Sequence, residues 1–517
     1  MRRTSLLIAL VLAAILGFSQ QVETARFERG RWGDGSAFHF ESFQKDGGLV
    51  VYATDKTDED NNRLWDFIRL DTSLYELRSD LIPLPGRMSL LGSGSSRQWA
   101  AFVFVGDTKH RSDSVPLAVV TYHRTDQSYA TFFDVLPERS TPLSVAVLNS
   151  TLMLAVNSKD GKGFLTQYNL DSHVQRTITP MMDDDMVLFQ FSAIPERQRF
   201  VLAARGFVEK RYKYTAFFVY TENGTLLQTH RFDNGENAAL GRMCFGFDDA
   251  GQLVVYATLE RERNKKVDVE GVTRDFDRMA VGVTWVKFAT SGTLSKTFLF
   301  KNLPNIDKAL TASDRLKVKE ELLKMQRGKK KEKGEITFQF LSPRLVDFGG
   351  NHVFVAEAFQ PLFHTETRMD YYGYYRAYPM YYTVFDGYDF FSEILMAFDD
   401  EGELLWHQAV RFENDLSDEL FAHAFEAVAH DELVVVSPRR NVLRYEVFDV
   451  DGASLLDQHS LTMDYLHADD SFEDEYNMGV IHWFGDRFLV HGCQIVRNPS
   501  LRVTRRGVYY VQKVEYE

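Results

Sequence analysis

The strongest constraint on this chain is a hairpin that keeps returning. From Phe391 the sequence FSEILMAFDDEGELLWHQAV runs as an apolar strand, a turn at Asp399, Asp400, Glu401 and Gly402, and a second strand from Leu404 to Val410. The same pattern recurs in DFIRLDTSLYELRSDL from Asp66, LAVVTYHRTDQSYATFFDVL from Leu117, LTQYNLDSHVQRTI from Leu165, FFVYTENGTLLQTHRF from Phe217, WVKFATSGTLSKTFLF from Trp285 and YEVFDVDGASLLDQHS from Tyr445. A second hairpin type, with a strongly β-branched return strand, precedes each of these. It begins near Glu41, Leu90, Leu148, Ala193, Phe245, Leu345 and Glu426, and an eighth copy begins near Ile481.

Two hairpins make a four-stranded unit, and such units at regular spacing are the signature of an all-β propeller whose blades pack on their neighbours. The eighth unit ends in a lone strand, RGVYYVQKVEYE from Arg506. The strand-like segment Val22 to Trp32 is therefore the natural donor of the missing strand, which would close the ring and remove an exposed edge. We expect eight blades, with seven as the alternative if a weakly written hairpin such as that near Leu148 belongs to a distorted unit. The fold is thus one propeller domain over residues 20–517.

Two insertions break the rhythm. Residues 305–335 place Leu316, Glu320 and Leu323 at helical spacing with Ser313 as N-cap, then a basic tail of Arg327, Lys329, Lys330, Lys331 and Lys333. This reads as a helix on the rim with a solvated charge run, or as a docking patch for an acidic partner. Residues 364–388 hold Tyr371, Tyr372, Tyr374, Tyr375, Tyr378, Tyr381, Tyr382 and Tyr388, eight of the 23 tyrosines. They cannot all be core, because each buried hydroxyl needs a partner. We expect a Tyr-rich loop whose rigid, amphipathic side chains form a binding surface, the alternative being a long hairpin that packs on its own blade or on the inserted helix.

Composition narrows the function. The chain is 517 residues long, 44 % hydrophobic and 14 % aromatic, ample for a large core. Arg2 and Arg3 precede an apolar run from Leu6 to Phe18, the pattern of a signal peptide cut after Ser19, and the run is shorter than a membrane span needs. Losing those two arginines takes the formal charge from −14 to −16, which repels nucleic acid and anionic membrane. We therefore expect a periplasmic or secreted protein with no membrane span after cleavage. Cys244 and Cys493, the only cysteines, form a disulfide or remain buried thiols.

No nucleophile elbow, zinc-protease helix, phosphate-binding glycine loop or CxxC pair is present. His423 and His430 flank one strand and its turn rather than share a helix face. The acidic runs Asp183 to Asp185 and Asp469 to Glu475 fall between blades, where such residues are ordinarily solvated, and Asp449, Asp451 and Gly452 read as turn chemistry. We assign no catalytic residue, no metal ligand and no cofactor.

At Asp399 to Trp406, DDEGELLW, the chain is similar to the D-x-x-G-x-x-x-W blade pattern of the pyrroloquinoline-quinone-type propellers, a group of eight-bladed rings. The likeness is one blade deep: after Gly452 the place equivalent to Trp406 is held by Leu456. The calcium and quinone ligands of the dehydrogenases in that group have no counterpart, so no cofactor is carried over. The resemblance implies the fold and, beyond it, the non-enzymatic branch, in which a periplasmic propeller serves as scaffold for outer-membrane protein assembly. The chain also resembles exported bacterial propellers of unassigned activity that carry a Tyr-rich insertion. Together these readings point to a non-catalytic propeller contacting a protein or glycan of the cell envelope. The alternative is an enzyme working through the central channel, as a lactonase, glycan lyase or glycoside hydrolase, with its acids and histidines gathered from several blades.

Overall fold

The computed structural model describes residues 25–30, 38–107, 114–158, 163–179, 186–209, 211–235, 238–262, 278–326, 335–341, 343–371, 377–417, 420–467 and 469–516. The expected signal segment, the basic tail after the helix and Asp183 to Asp185 lie outside them. The described strands form eight antiparallel sheets: six have four strands in sequence order, the sixth blade has five, and the eighth takes the N-terminal strand as its outer member. The first blade comprises Phe38–Ser42, Gly48–Thr57, Arg63–Leu70 and Glu76–Leu84, and the pattern continues to the eighth. The fold is an eight-bladed all-β propeller, and the hairpin near Leu148 belongs to a regular third blade, Thr141–Leu148, Thr151–Asn157, Gly163–Asn169 and Gln175–Ile178. The sixth blade adds a two-residue strand, Gln339–Phe340, beside its second strand.

Eight hydrophobic clusters hold the ring, one at each junction between neighbours. Alternate side chains of one strand serve different junctions. Leu49, Val51 and Ala53 pack toward the second blade, whereas Val50 and Tyr52 pack toward the eighth. A strand buried on both faces reads as a continuous apolar run, which is why the second strand of each blade is so strongly β-branched.

The ends of the chain meet as the sequence implies. Arg26–Gly30 pairs antiparallel with Arg505–Glu515 as the outer strand of the eighth blade, Arg26 opposite Gln512 and Gly30 opposite Val508. Arg29 then reaches the first blade, donating to Tyr52 Oη at 3.1 Å and to Asp66 Oδ2 at 3.2 Å, while Tyr52 and Ser79 donate to the same buried aspartate at 2.8 and 2.6 Å. The turn glycines pack on tryptophans of the preceding blade. Gly402 and Gly452 both have φ of +74°. A Cβ on Gly402 would lie 2.2 Å from the indole of Trp285, on the third strand of blade five, and one on Gly452 2.4 Å from the indole of Trp406, the tryptophan of the D-x-x-G-x-x-x-W pattern. Each turn thus lies flat against its neighbour's tryptophan.

In an antiparallel four-stranded blade, the connections between first and second strands and between third and fourth strands lie at one end. Those between second and third strands, and between blades, lie at the other. The first end carries tight turns such as Asp71 to Tyr75, Thr221 to Thr225 and Asp399 to Glu403. Both insertions fall at the second end. Residues 300–340 begin with short turns, Phe300–Asn302 and Ile306–Ala309, whose Phe300, Ile306 and Ala309 are buried between blades five and six together with Ile336 and Phe338. The helix is Ala312–Gln326, with Leu316 exposed. Its cap differs from expectation: Thr311 Oγ1 accepts from the Asp314 backbone N–H at 3.2 Å, and Ser313 lies inside the first turn.

Candidate functional site

The Tyr-rich insertion is β-structure rather than a loop. The second strand of blade six runs Asn351–Tyr371 and the third runs Ala377–Phe398, in register from His352 opposite Phe398 to Tyr371 opposite Ala377. The outer strand Leu404–Ser417 follows them only as far as Tyr388 opposite Ser417. From Leu362 to Tyr371, about 30 Å at 3.3 Å per residue, the described hairpin is a two-stranded ribbon. The reason is local: FHTETRM and PMYYTVF suit a pleated ribbon, and no glycine interrupts them until Gly373.

Alternation assigns the ribbon two faces. One carries His364, Glu366 and Arg368 opposite Val384, Tyr382 and Met380; the other carries Thr365, Thr367 and Met369 opposite Thr383, Tyr381 and Pro379. On the first face His364 Nδ1 lies 2.5 Å from Asp386 Oδ1, and that hydrogen bond raises the imidazole pKa. Arg368 donates to Glu366 Oε2 at 2.9 Å and lies over the Tyr382 ring at 5.5 Å. Tyr381 is 72 % exposed, and Met369, Met380 and Tyr382 are exposed too.

The eight tyrosines therefore divide. Tyr381 and Tyr382 stand on the ribbon in solvent, and Tyr388 packs at its root against Phe359 and Phe385. Tyr371 and Tyr378 lie near the ribbon's far end, and Tyr372, Tyr374 and Tyr375 lie outside the described residues. Met369 and Met380 join the exposed surface without having been singled out by the sequence; their period-two placement among Thr and Tyr is the signal that marks them.

Beneath the root lies a buried ionic cluster that sequence reading missed. Arg344, on the innermost strand of blade six, donates to Glu357 Oε1 at 3.2 Å, Glu393 Oε1 at 2.8 Å, Glu426 Oε2 at 2.9 Å and the Ala424 carbonyl at 3.2 Å. All three glutamate side chains are fully buried. Glu357 and Glu393 are direct cross-strand partners, and Glu426 comes from blade seven. Glu357 also accepts the backbone N–H groups of His423 and Ala424 at 2.8 and 3.3 Å. Burial pushes the Glu357 carboxyl up to about 7 against the pull of Arg344. Burial and the neighbouring Glu426 charge push Glu393 well up, whereas Arg344 holds Glu426 below the usual range although burial opposes it. His423 stacks between Phe390 and Phe421, with centroids 3.9 and 4.4 Å away, and burial drops its pKa to about 4. His430 sits beyond the other end of strand Phe425–Ala429, so the two histidines are not together.

A smaller constellation lies on the innermost strands of blades one and two. His39 Nε2 is 2.6 Å from Ser93 Oγ and 3.4 Å from Glu41 Oε2, and Ser93 Oγ donates to the same glutamate. Hydroxyl and acid meet one ring nitrogen, so the glutamate does not orient the histidine as a base from its far side. The group knots two blades together. Among the described residues no cluster of three or more His, Cys, Asp or Glu could hold a metal ion. The acidic run after Asp469 is spent on structure: Asp470 accepts from Asn498 and Arg506, and Glu473 from Arg505. Cys244 and Cys493 are buried in different junctions, between blades five and six and between blades eight and one, so they form no disulfide with each other.

No protein-family description matches the chain, and no curated protein does. Among solved structures, the dihydro-heme d1 dehydrogenase NirN in complex with DHE is 10 % identical, covering 94 % of this chain and 79 % of its own, at a TM-score of 0.42. A protein from Lactobacillus plantarum is 13 % identical over 80 % of this chain and 96 % of its own, at 0.37. One of two prolyl endopeptidases analysed for inter-domain dynamics is 10 % identical over 90 % of this chain and 54 % of its own, at 0.38. Likenesses this distant carry nothing about chemistry.

Proposed function

We propose that this chain is an exported, non-catalytic propeller that binds a protein or glycan of the cell envelope through the ribbon of blade six. One observation carries the reading: a two-stranded ribbon stands off the insertion-bearing face with Tyr381, Met369 and Met380 in solvent. Aromatic and methionine side chains on a preformed strand pair offer contact area at low entropy cost, and loops or arms on a rigid ring are where propellers place recognition. The enzyme reading has His39, Glu41 and Ser93 in its favour, but their hydrogen bonds satisfy one another rather than aim at a substrate.

The test compares the whole chain with a variant in which residues 364–388 are replaced by a two-residue turn, each cross-linked in native envelope and captured, with partners identified by mass spectrometry. A partner held by the whole chain and lost with the ribbon supports the reading. Capture that survives the deletion moves the site elsewhere. If neither form captures a partner, the binding reading fails, and hydrolysis assays on wild type and His39→Ala take its place.

A further inference from the structure

We infer that the free edge of the strand Asn351–Tyr371 pairs antiparallel with the same edge of a second copy of this chain, centred on Thr367. The inference rests on reading the ribbon as a recognition element, and names one of its partners. Beyond Leu362 this strand pairs, among the described residues, only with Ala377–Phe398, so its outer row of backbone N–H and C=O groups is unspent. Such a row is a template for another strand. The two edges are not equivalent. The returning strand carries Pro379, which lacks a donor, whereas residues 362–371 contain no proline.

Symmetry then selects the register. Two copies of one strand related by a twofold axis perpendicular to the sheet are antiparallel, with one residue facing itself on the axis. If Glu366 or Arg368 stood there, like charges would meet. With Thr367 on the axis, Glu366 of each copy faces Arg368 of the other. Four charges of alternating sign then share one face, where each chain alone pairs Arg368 back to its own Glu366. With Thr365 on the axis Glu366 would face His364, whose imidazole is already bonded to Asp386, and Arg368 would face Leu362, so the charges favour the Thr367 register. Edge pairing also leaves both ribbon faces open, so Tyr381 and Tyr382 are doubled across a four-stranded sheet rather than hidden. A two-stranded ribbon in water is marginal alone, and four strands remedy that.

The experiment measures the mass of the whole chain in solution over a concentration series by light scattering and sedimentation. Wild type is expected to reach twice the mass of one chain. Arg368→Glu sets four like charges together and should weaken association at least about tenfold, while the exchange Glu366→Arg with Arg368→Glu restores it. Because the propeller core is untouched, all variants should keep the wild-type circular dichroism spectrum and a cooperative melt, with any difference in melting temperature vanishing at concentrations where wild type is dissociated. Thr367→Cys should be joined chain to chain by a short thiol cross-linker, and Thr365→Cys should not, the native cysteines being buried. A monomer at every concentration overturns the inference. So does an unchanged dissociation constant in Arg368→Glu, or a dimer that links no better through position 367 than through 365. The outcome is separable from that of the envelope capture: a monomer that still captures its partner refutes only the dimer, and a dimer that captures nothing refutes only the envelope reading.

Discussion

Replacing Arg344 by methionine tests whether the ionic cluster is held by charge. The guanidinium serves three buried carboxyls and one carbonyl at 2.8–3.2 Å. Two unit charges about 4 Å apart interact by roughly 4 kcal/mol at an effective dielectric of about 20, and breaking a buried pair costs about 3–5 kcal/mol because the remaining charge is stranded. Unfolding entropy of about 2.1 cal/mol/K per residue over 517 residues gives roughly 1 kcal/mol/K. Arg344→Met should therefore lower the calorimetric melting temperature by about 3–5 °C at pH 8. The loss should shrink at pH 5, where Glu357, with its pKa near 7, is protonated and burial favours the neutral form of Glu393, leaving Glu426 as the carboxylate that most needs the counter-ion. Glu393→Gln should be nearly neutral, since one arginine faces three acids. A loss under about 1 °C, a loss equal at both pH values, or a Glu393→Gln as damaging as Arg344→Met would refute the charge argument.

Two further outcomes follow from the same structure. His423 is buried with a folded pKa of about 4 against 6.5 unfolded, so its contribution to stability is present above pH 6.5 and lost as pH falls through about 4. Glu357, raised to about 7, contributes in the opposite sense, its stability present below pH 4.5 and lost as pH rises through 7, so the two oppose each other between pH 4.5 and 6.5. His423→Phe, which keeps a ring between Phe390 and Phe421, should gain stability relative to wild type on going from pH 6.5 to 4, by on the order of 2–3 kcal/mol; parallel melting curves against pH would exclude this account. Gly452→Ala places a methyl against the Trp406 indole at φ +74° and should cost about 1–3 kcal/mol, read as a lower melting temperature, whereas Gly251→Ala, with φ +76° but open space, should cost less.

The ring was legible because its physics is local. A strand sandwiched between two neighbours must be apolar on both faces, and its turns must supply left-handed positions, so LVVYATL and FDDAGQ announce a blade wherever they stand. Closure was legible for the same reason, since one strand was missing at one end and spare at the other. The helix cap was misplaced by two residues because Thr311 and Ser313 are both cap formers, and only the tertiary entry through buried Ile306 and Ala309 decides between them. The Tyr-rich segment concealed its period because tyrosine serves either face of a ribbon; the alternation is clear only in the flanking FHTETRM and TVF. The ionic cluster was not legible, as Arg344 and Glu426 are 82 residues apart and meet only through blade packing. Its trace in the sequence is a glutamate inside each of three apolar runs, VFVAEAF, FFSEILM and AFEAV, a feature shared by the single buried acids Asp66 in LWDFIRL and Glu446 in VLRYEVF, so no one run announces the cluster.

Why the cluster sits at this junction follows from the ribbon above it. A ribbon of about 30 Å projecting from one blade applies leverage to its root whenever its tip is loaded, and the root is where neighbouring strands would slide. Apolar packing resists separation but resists sliding weakly, because it is non-directional. Arg344 instead ties four strands at one level: its own, the two that rise into the ribbon through Glu357 and Glu393, and the first strand of blade seven through Glu426. A slip of one residue on any of them would move a carboxylate to the opposite face and strand it in an apolar junction. The cost of that error fixes register where an arm requires it, and it accounts for three buried acids around one base without assigning them any chemistry.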